Sequence, residues 1–173
     1  MTDPMPDPNI RPATESDAEA IAAIYNQGIE DRVATLETMV RTAEERAEWL
    51  AARGSRHPVL VATGDDGAVL GFARVSPYSD RCVYSGVGEH GVYVARAARG
   101  QQVGRRLLDA LVTASEQVGL YKLTSRLFTD NAASRAAHIA AGFEEVGIQR
   151  RHGRLDGEWK DCVLVERLLG EAR

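Results

Sequence analysis

The stretch Gly88 to Arg106, GEHGVYVARAARGQQVGRR, limits what this chain can become more than any other. It reads as an acidic residue, a short β-branched strand, a basic turn containing glycine, and the start of a helix. Where a turn opens a helix, the first backbone N–H groups have no intrahelical partner, and the helix dipole adds partial positive charge. Such a turn suits an anion, and Arg99, Arg105 and Arg106 reinforce it. Glu89 stands at the other end of the strand. The layout is that of a phosphate-bearing ligand lying beside a proton acceptor.

The rest of the chain supplies a mixed sheet around this stretch. Ile10-Arg11 starts a strand closed by Pro12, and Thr14-Glu15-Ser16-Asp17 resembles a capping box ahead of apolar positions at helical spacing, Ala18 to Ile29, with Gly28 weakening or ending that helix. Glu30 to Val40 has no clear period and reads as a loop that can line a site. Thr42-x-x-Glu45 is a capping box for a second helix ending at Gly54. Pro58 to Ala62 and Val69 to Tyr78 are strands joined at Gly64-Asp65-Asp66-Gly67, and a loop from Ser79 to Gly86 precedes the strand Glu89–Val94. A third helix runs from about Gly104 to Gln117, with Gly119 past its end. Lys122 to Phe128 is a strand, Ala132 to Ala141 a short helix, and Phe143 to Arg151 and Glu158 to Leu168 a strand pair around Asp156-Gly157, a strong hairpin signal. The order implies one α/β domain over residues 10–170, following a disordered tail over residues 1–9.

Composition narrows the function classes. At 173 residues, 44% hydrophobic and 27% charged, the chain can bury a core without staples. A net charge of −4 argues against nucleic acid and basic membrane-surface partners. No run reaches the roughly 18 apolar residues of a membrane span, and MTDPMPDPN lacks the apolar core of a signal peptide. Cys82 and Cys162 have neither metal-ligand nor disulfide spacing; free thiols in a reducing cytoplasm are the expectation, with no metal.

Arg99-Gly100-Gln101-Gln102-Val103-Gly104 then matches [R/Q]-x-x-G-x-[G/A] at a strand-to-helix turn, apart from Gln102, which stands where glycine is usual. With Asn131-x-x-Ser134 and Ala141-Gly142-Phe143 downstream, the chain resembles the GCN5-related N-acetyltransferases, acetyl-CoA-dependent enzymes of the GNAT fold. Glu89-His90-Gly91-Val92-Tyr93-Val94, Arg81-x-x-Tyr84 and Gly157-x-Trp159-x-Asp161 bring it closer to the phosphinothricin-type branch, which acetylates the α-amino group of glutamate analogues. Ser76-Pro77-Tyr78 and Arg150-Arg151-His152-x-x-Leu155-Asp156-Gly157 look most like the arsinothricin N-acetyltransferases.

Acetyl transfer onto an α-ammonium requires a base, and Glu89 is the candidate, a role the resemblance also implies. The resemblance assigns the thioester carbonyl to backbone N–H groups around Val92, Tyr93 and Val94, where fixed donors need no reorganisation. The CoA pyrophosphate would lie on the amides of Gly100, Gln101, Gln102, Val103 and Gly104 beside Arg99 and Arg105. The resemblance puts Asn131 against the pantetheine arm, with Ser134 also on the cofactor side, and Asn131 equally suits a helix N-cap. His138 matches a histidine of the branch and stands either as the proton donor to the departing thiolate, as a group that orients Glu89, or as a satisfied half-buried histidine. Arg81 and Tyr84 suit an anionic acceptor, with Arg74 a second clamp and Arg32 a third; guanidinium pairs bidentately with carboxylate, phosphinate or arsinate. Trp49 and Trp159 read as core or subunit contacts, and the resemblance implies a homodimer.

Three functions stay open at this stage. One is acetyl transfer to an arsinothricin- or phosphinothricin-like amino acid, as detoxification or resistance. A second keeps the chemistry with methionine sulfoximine, its sulfone, or another small amine as acceptor. The third is a non-catalytic acetyl-CoA sensor, against which Glu89 argues.

Overall fold

The computed structural model describes residues 6–173; the first five residues of the expected tail lie outside the described ones. Seven strands form one sheet in the order β1-β2-β3-β4-β5-β7-β6. They are β1 (Asn9–Pro12), β2 (Val59–Thr63), β3 (Val69–Pro77), β4 (Val87–Val94), β5 (Lys122–Phe128), β6 (Glu144–Leu155) and β7 (Glu158–Leu168). The helices are α1 (Ala18–Glu30), α2 (Ala43–Ala51), α3 (Val103–Gln117) and α4 (Ala132–Ala140). Asn9, expected in the tail, is already in β1 and pairs with Thr63.

Alternation along the strands sorts residues between two layers. Val61 and Phe72 point to the first face and pack against Ile21, Ile24, Tyr25 and Ile29 of α1. Ala62, Ala73 and Val75 point to the second face and pack against Leu107, Leu108 and Leu111 of α3. Each of the Val, Leu, Ile and Phe side chains among these contributes about 1.5–3 kcal/mol of transfer free energy.

Gly28 does not end α1, which continues to Glu30. Gly28 and Ile29 are buried on the helix face that packs on the sheet, so tertiary packing overrides the local propensity. Both expected capping boxes form, around Thr14 and Thr42. The β6–β7 turn has Asp156 and Gly157 at φ 51° and 82°, the left-handed pair that Asp-Gly favours. β6 runs past the expected Arg151 to Leu155 because a bulge between Gln149 and Gly153, with Arg151 at φ 49°, absorbs the irregular residues.

One topological feature creates the site. β4 pairs with β3 from Gly88 to Val94 but with β5 only from Val87 to Glu89. Beyond Glu89 the two strands part. From His90 to Val94, the alternate N–H and C=O groups on the β5 side of β4 therefore face a gap without a strand partner.

Candidate active site

A cleft of about 720 Å³ fills this gap and runs through the sheet. Strand parity divides it. His90, Val92 and Val94 project to the second face beside α3 and α4, and Glu89, Gly91 and Tyr93 project to the first.

On the second face the wall is built from the turn before α3 and the start of α4: Gly100, Gln102, Val103, Gly104, Arg105, Asn131 and Ser134 all line the cleft. Gln101 flanks them, its side chain turned back to the Ala97 carbonyl at 3.4 Å. Gln102 holds φ 62° and ψ 15°, a left-handed conformation in which a side chain costs about 1–2 kcal/mol. The departure from the family pattern thus falls on a residue whose backbone is shaped as if for glycine.

The basic cluster here is largely engaged. Arg99 donates to Asp31 at 2.7 Å, Arg106 pairs with Asp7, and Arg105 lies 3.7 Å from Asp109. Asp31 also receives Arg96, and the two guanidiniums, Arg96 first, hold its carboxyl down at about 2. Arg99 therefore braces the segment after α1 while still lining the cleft, and Arg105 has the loosest partner of the three.

Asn131 caps α4, accepting from the Ser134 N–H at 3.2 Å, and donates to the Val33 carbonyl at 2.9 Å. That second bond ties the 31–41 segment across the cleft mouth. Asn26 holds the Arg41 backbone at 2.8 and 2.9 Å, Arg32 reaches Asp156 at 2.9 Å, and Leu36 packs on Gly153. Val33 and Ala34 of this strap line the cleft, as the irregular sequence there suggested. Arg32, expected as a third clamp, is committed to Asp156 and Ile29.

His138 is fully buried and in contact with a second buried histidine, His90. Their Nε2 atoms are 3.0 Å apart, and His138 Nδ1 lies 2.7 Å from the Ser134 carbonyl. These partners assign the protons: His138 Nδ1–H donates to Ser134, and His90 Nε2–H donates to the lone pair on His138 Nε2. His90 Nδ1 makes no hydrogen bond of good geometry. Burial holds both rings below the ordinary histidine range, His90 much further, with His138 and then Arg74 adding to the effect and the Thr124 backbone opposing it. A thiolate donor needs a free proton, whereas both nitrogens of His138 are occupied within the protein.

On the first face, Glu89, Arg74 and Tyr93 come together. Arg74 sits opposite Gly91 in the β3–β4 ladder, and Ser76 opposite Glu89, so Arg74 is the diagonal neighbour of Glu89 on one face. Gly91 keeps this patch open: a Cβ there would come within 3.0 Å of the Tyr93 ring. Tyr93 stacks on Phe72 at 5.0 Å and meets Tyr25 edge-on at 5.1 Å. Arg74 donates to Ser76 Oγ at 3.0 Å. Nearby Arg53 is pushed down to about 10, by burial first and then by Arg74. Arg81 and Tyr84 stand elsewhere, on an exposed 3-10 turn, 5.8 Å apart as cation and ring, outside the cleft lining.

Sequence reasoning took His90 only as part of the Glu89–Val94 match, with a weaker claim than His138, and passed over the strap contacts and one more cleft arginine, Arg126. Their signals are pairings between distant residues, which no local pattern carries. Among the described residues no group of three or more acidic, histidine or cysteine side chains has metal-site geometry, and no helix is long and apolar enough to cross a membrane.

Known proteins share this architecture. Residues 10–164 match the family model described as an acetyltransferase (GNAT) domain. An L-methionine sulfoximine/L-methionine sulfone acetyltransferase of Pseudomonas paraeruginosa is 34% identical over 167 residues, 95% of this chain and 96% of that protein. A phosphinothricin N-acetyltransferase of Streptomyces coelicolor is 31% identical over 163 residues, 92% of this chain and 95% of that one. The crystal structure of a GNAT phosphinothricin acetyltransferase from Sinorhizobium meliloti in complex with acetyl-CoA superposes with a TM-score of 0.90 at 30% identity, covering 96% of this chain and 91% of that chain. With the family model spanning residues 10–164, almost the whole sequence, this chain belongs to the GNAT acetyltransferase family.

Proposed function

We propose that this protein transfers acetyl from acetyl-CoA to the α-amino group of a small anionic amino acid of the phosphinothricin or arsinothricin type. The observation that carries the reading is the convergence of Glu89 and Arg74 on one open patch of β4, at the edge where the strand leaves β5. A carboxylate and a guanidinium at that spacing match the ammonium and carboxylate of an amino acid. Detoxification of such a glutamate mimic is the role that fits.

The second face fits acetyl-CoA. The amides from Gly100 to Gly104 at the start of α3 would take the pyrophosphate, with Arg105 beside them, and Asn131 and Ser134 flank the path of the pantetheine arm. When bound, acetyl-CoA supplies an activated thioester. Glu89 accepts a proton from the ammonium, directly or through water, and frees the amine lone pair. The unpaired edge of β4 between His90 and Val94 presents backbone N–H groups to the carbonyl, already oriented by the β3 ladder. The new N–C bond forms as the C–S bond breaks; of the two protons the ammonium loses, Glu89 holds the first, and the second, released as the amide forms, balances the one the thiolate takes up. His138 is a positioning residue in this scheme: with His90 it pins α4 to β4 and sets the width of the cleft. Arg81 and Tyr84 would meet the acceptor only through movement of their turn, so Arg74 is the primary clamp. The reading includes a homodimer, for which exposed Val146, Ile148 and Trp159 on β6 and β7 offer an apolar surface, and a cytoplasmic setting where acetyl-CoA is available.

A specific feature supports a second acceptor class: one guanidinium beside Glu89 also suits a monoanionic amino acid such as methionine sulfone. The experiment is acetyl-CoA consumption over phosphinothricin, arsinothricin, methionine sulfoximine, methionine sulfone and glutamate, with the acetylated product identified by mass spectrometry. Turnover of the anionic amino acids is expected. Acetyl-CoA binding without turnover of any amine overturns the enzymatic reading in favour of a sensor, and preference for basic or apolar amines overturns the role of Arg74.

A further inference from the structure

The β4–β5 register adds a second cation to the acceptor side. Thr124 pairs with Glu89 in the parallel ladder, so its side chain shares the first face, and Arg126, two residues on, projects from that face as well. Arg126 lines the cleft together with Arg74 and Glu89. Its Nε donates to Gln149 Oε1 at 2.8 Å, a neutral partner. The other cleft arginines differ: Arg99 is matched by Asp31 and Arg105 by Asp109. Among the described residues, Arg74 and Arg126 are the lining arginines with no carboxylate at ion-pair distance.

Charge counting then discriminates between acceptors. On the first face, Glu89 supplies one negative charge and Arg74 and Arg126 two positive ones. An amino acid with one ammonium and two acid groups carries a net −1 and neutralises the set. One with a single acid group carries no net charge and leaves a guanidinium uncompensated. Reach assigns the partners. Arg74 stands on the strand hydrogen-bonded to β4, about 4.8 Å away, and suits the α-carboxylate, whose carbon is attached to the same atom as the amine. Arg126 stands across the widening gap and suits an acid group at the far end of the side chain.

We infer that Arg126 is a specificity-determining residue that receives the distal acid group of the acceptor, making this site selective for dianionic over monoanionic amino acids. The inference rests on the acetyl-transfer reading above and sharpens its acceptor class. In wild-type protein, kcat/KM for phosphinothricin should exceed that for methionine sulfone by tenfold or more, the scale of a charge-assisted hydrogen bond, about 1.5–3 kcal/mol. Arg126→Gln should collapse that ratio, with the loss falling on KM for phosphinothricin while the acetyl-CoA KM and the melting temperature hold. Arg126→Lys, which keeps the charge and loses the planar fork, should restore part of it. Equal losses for both acceptors, no loss, or a wild type that favours methionine sulfone overturns the assignment of Arg126 and leaves acetyl transfer standing. A wild type that acetylates neither amino acid overturns both.

Discussion

The two faces of the cleft are built from different materials. On the α3/α4 face the groups offered to a ligand are mostly backbone: the amides of the turn before α3 and the start of α4, with its arginines mostly turned to the protein's own acids. On the first face they are side chains, Glu89 with Arg74 and Arg126, held apart by strand register. A backbone cradle recognises phosphates in any sequence that makes the turn, which suits a cofactor shared across a family. A side-chain clamp can be retuned by one substitution, which suits acceptors that differ between relatives. If this division is sound, a variant on one face leaves binding on the other untouched.

The largest expected break is Glu89→Gln. It keeps shape and hydrogen bonding but removes the proposed base, so kcat should fall by about 10²–10⁴ with little change in the amino-acid KM, measured by steady-state kinetics. A kcat within threefold of wild type would transfer the base role elsewhere. Next comes Arg74→Gln, for which kcat/KM should drop by about tenfold to a hundredfold through the KM for the amino acid, as expected for a lost charge-assisted bond. A rise in the acetyl-CoA KM instead would blur the two faces into one.

On the second face, the His90–His138 contact predicts a pH dependence of stability. Both folded-state pKa values lie below the ordinary 6.5. As pH falls through about 6.5 the unfolded chain takes up protons that the folded protein refuses, so stability present above that pH is lost below it. The slope is at most about 1.4 kcal/mol per pH unit for each histidine, and thermal melts between about pH 7.5 and 5 measure it. Asp17 and Asp31, whose pKa values are lowered by their arginines, act only at more acid pH. His138→Gln should flatten the slope; an unchanged slope would place the sensitivity elsewhere, with His57 the remaining lowered histidine. The smallest effect belongs to Gln102→Gly, which relieves a left-handed side chain and should raise stability by about 0.5–1 kcal/mol, or a few degrees in Tm, with acetyl-CoA binding retained. Lost cofactor affinity would show that the Gln102 side chain itself touches the cofactor.

The same contrast explains what could be read from the sequence. The α3 turn, the Asp156-Gly157 hairpin, the Lys122–Phe128 strand and Glu89 each depend on residues close in the chain, and their patterns survive as local spacing. The first face and the histidine pair depend on pairings between distant residues. Arg74 neighbours Glu89 only through the β3–β4 register, Arg126 joins them only through a three-residue parallel ladder, and His90 meets His138 across 48 positions. Arg99 reads as a phosphate ligand by motif, yet Asp31, 68 positions away, is its partner in the fold. Arg81 and Tyr84 matched a family pattern whose local form is present here on a turn outside the cleft lining.

Acetyl-CoA affinity of the Glu89→Gln variant, measured by calorimetric titration alongside wild type, tests the division most directly. The account predicts affinities equal within a factor of about two in a variant that has lost turnover. A tenfold or greater loss of acetyl-CoA affinity would contradict it, because Glu89 would then belong to the cofactor side of the cleft.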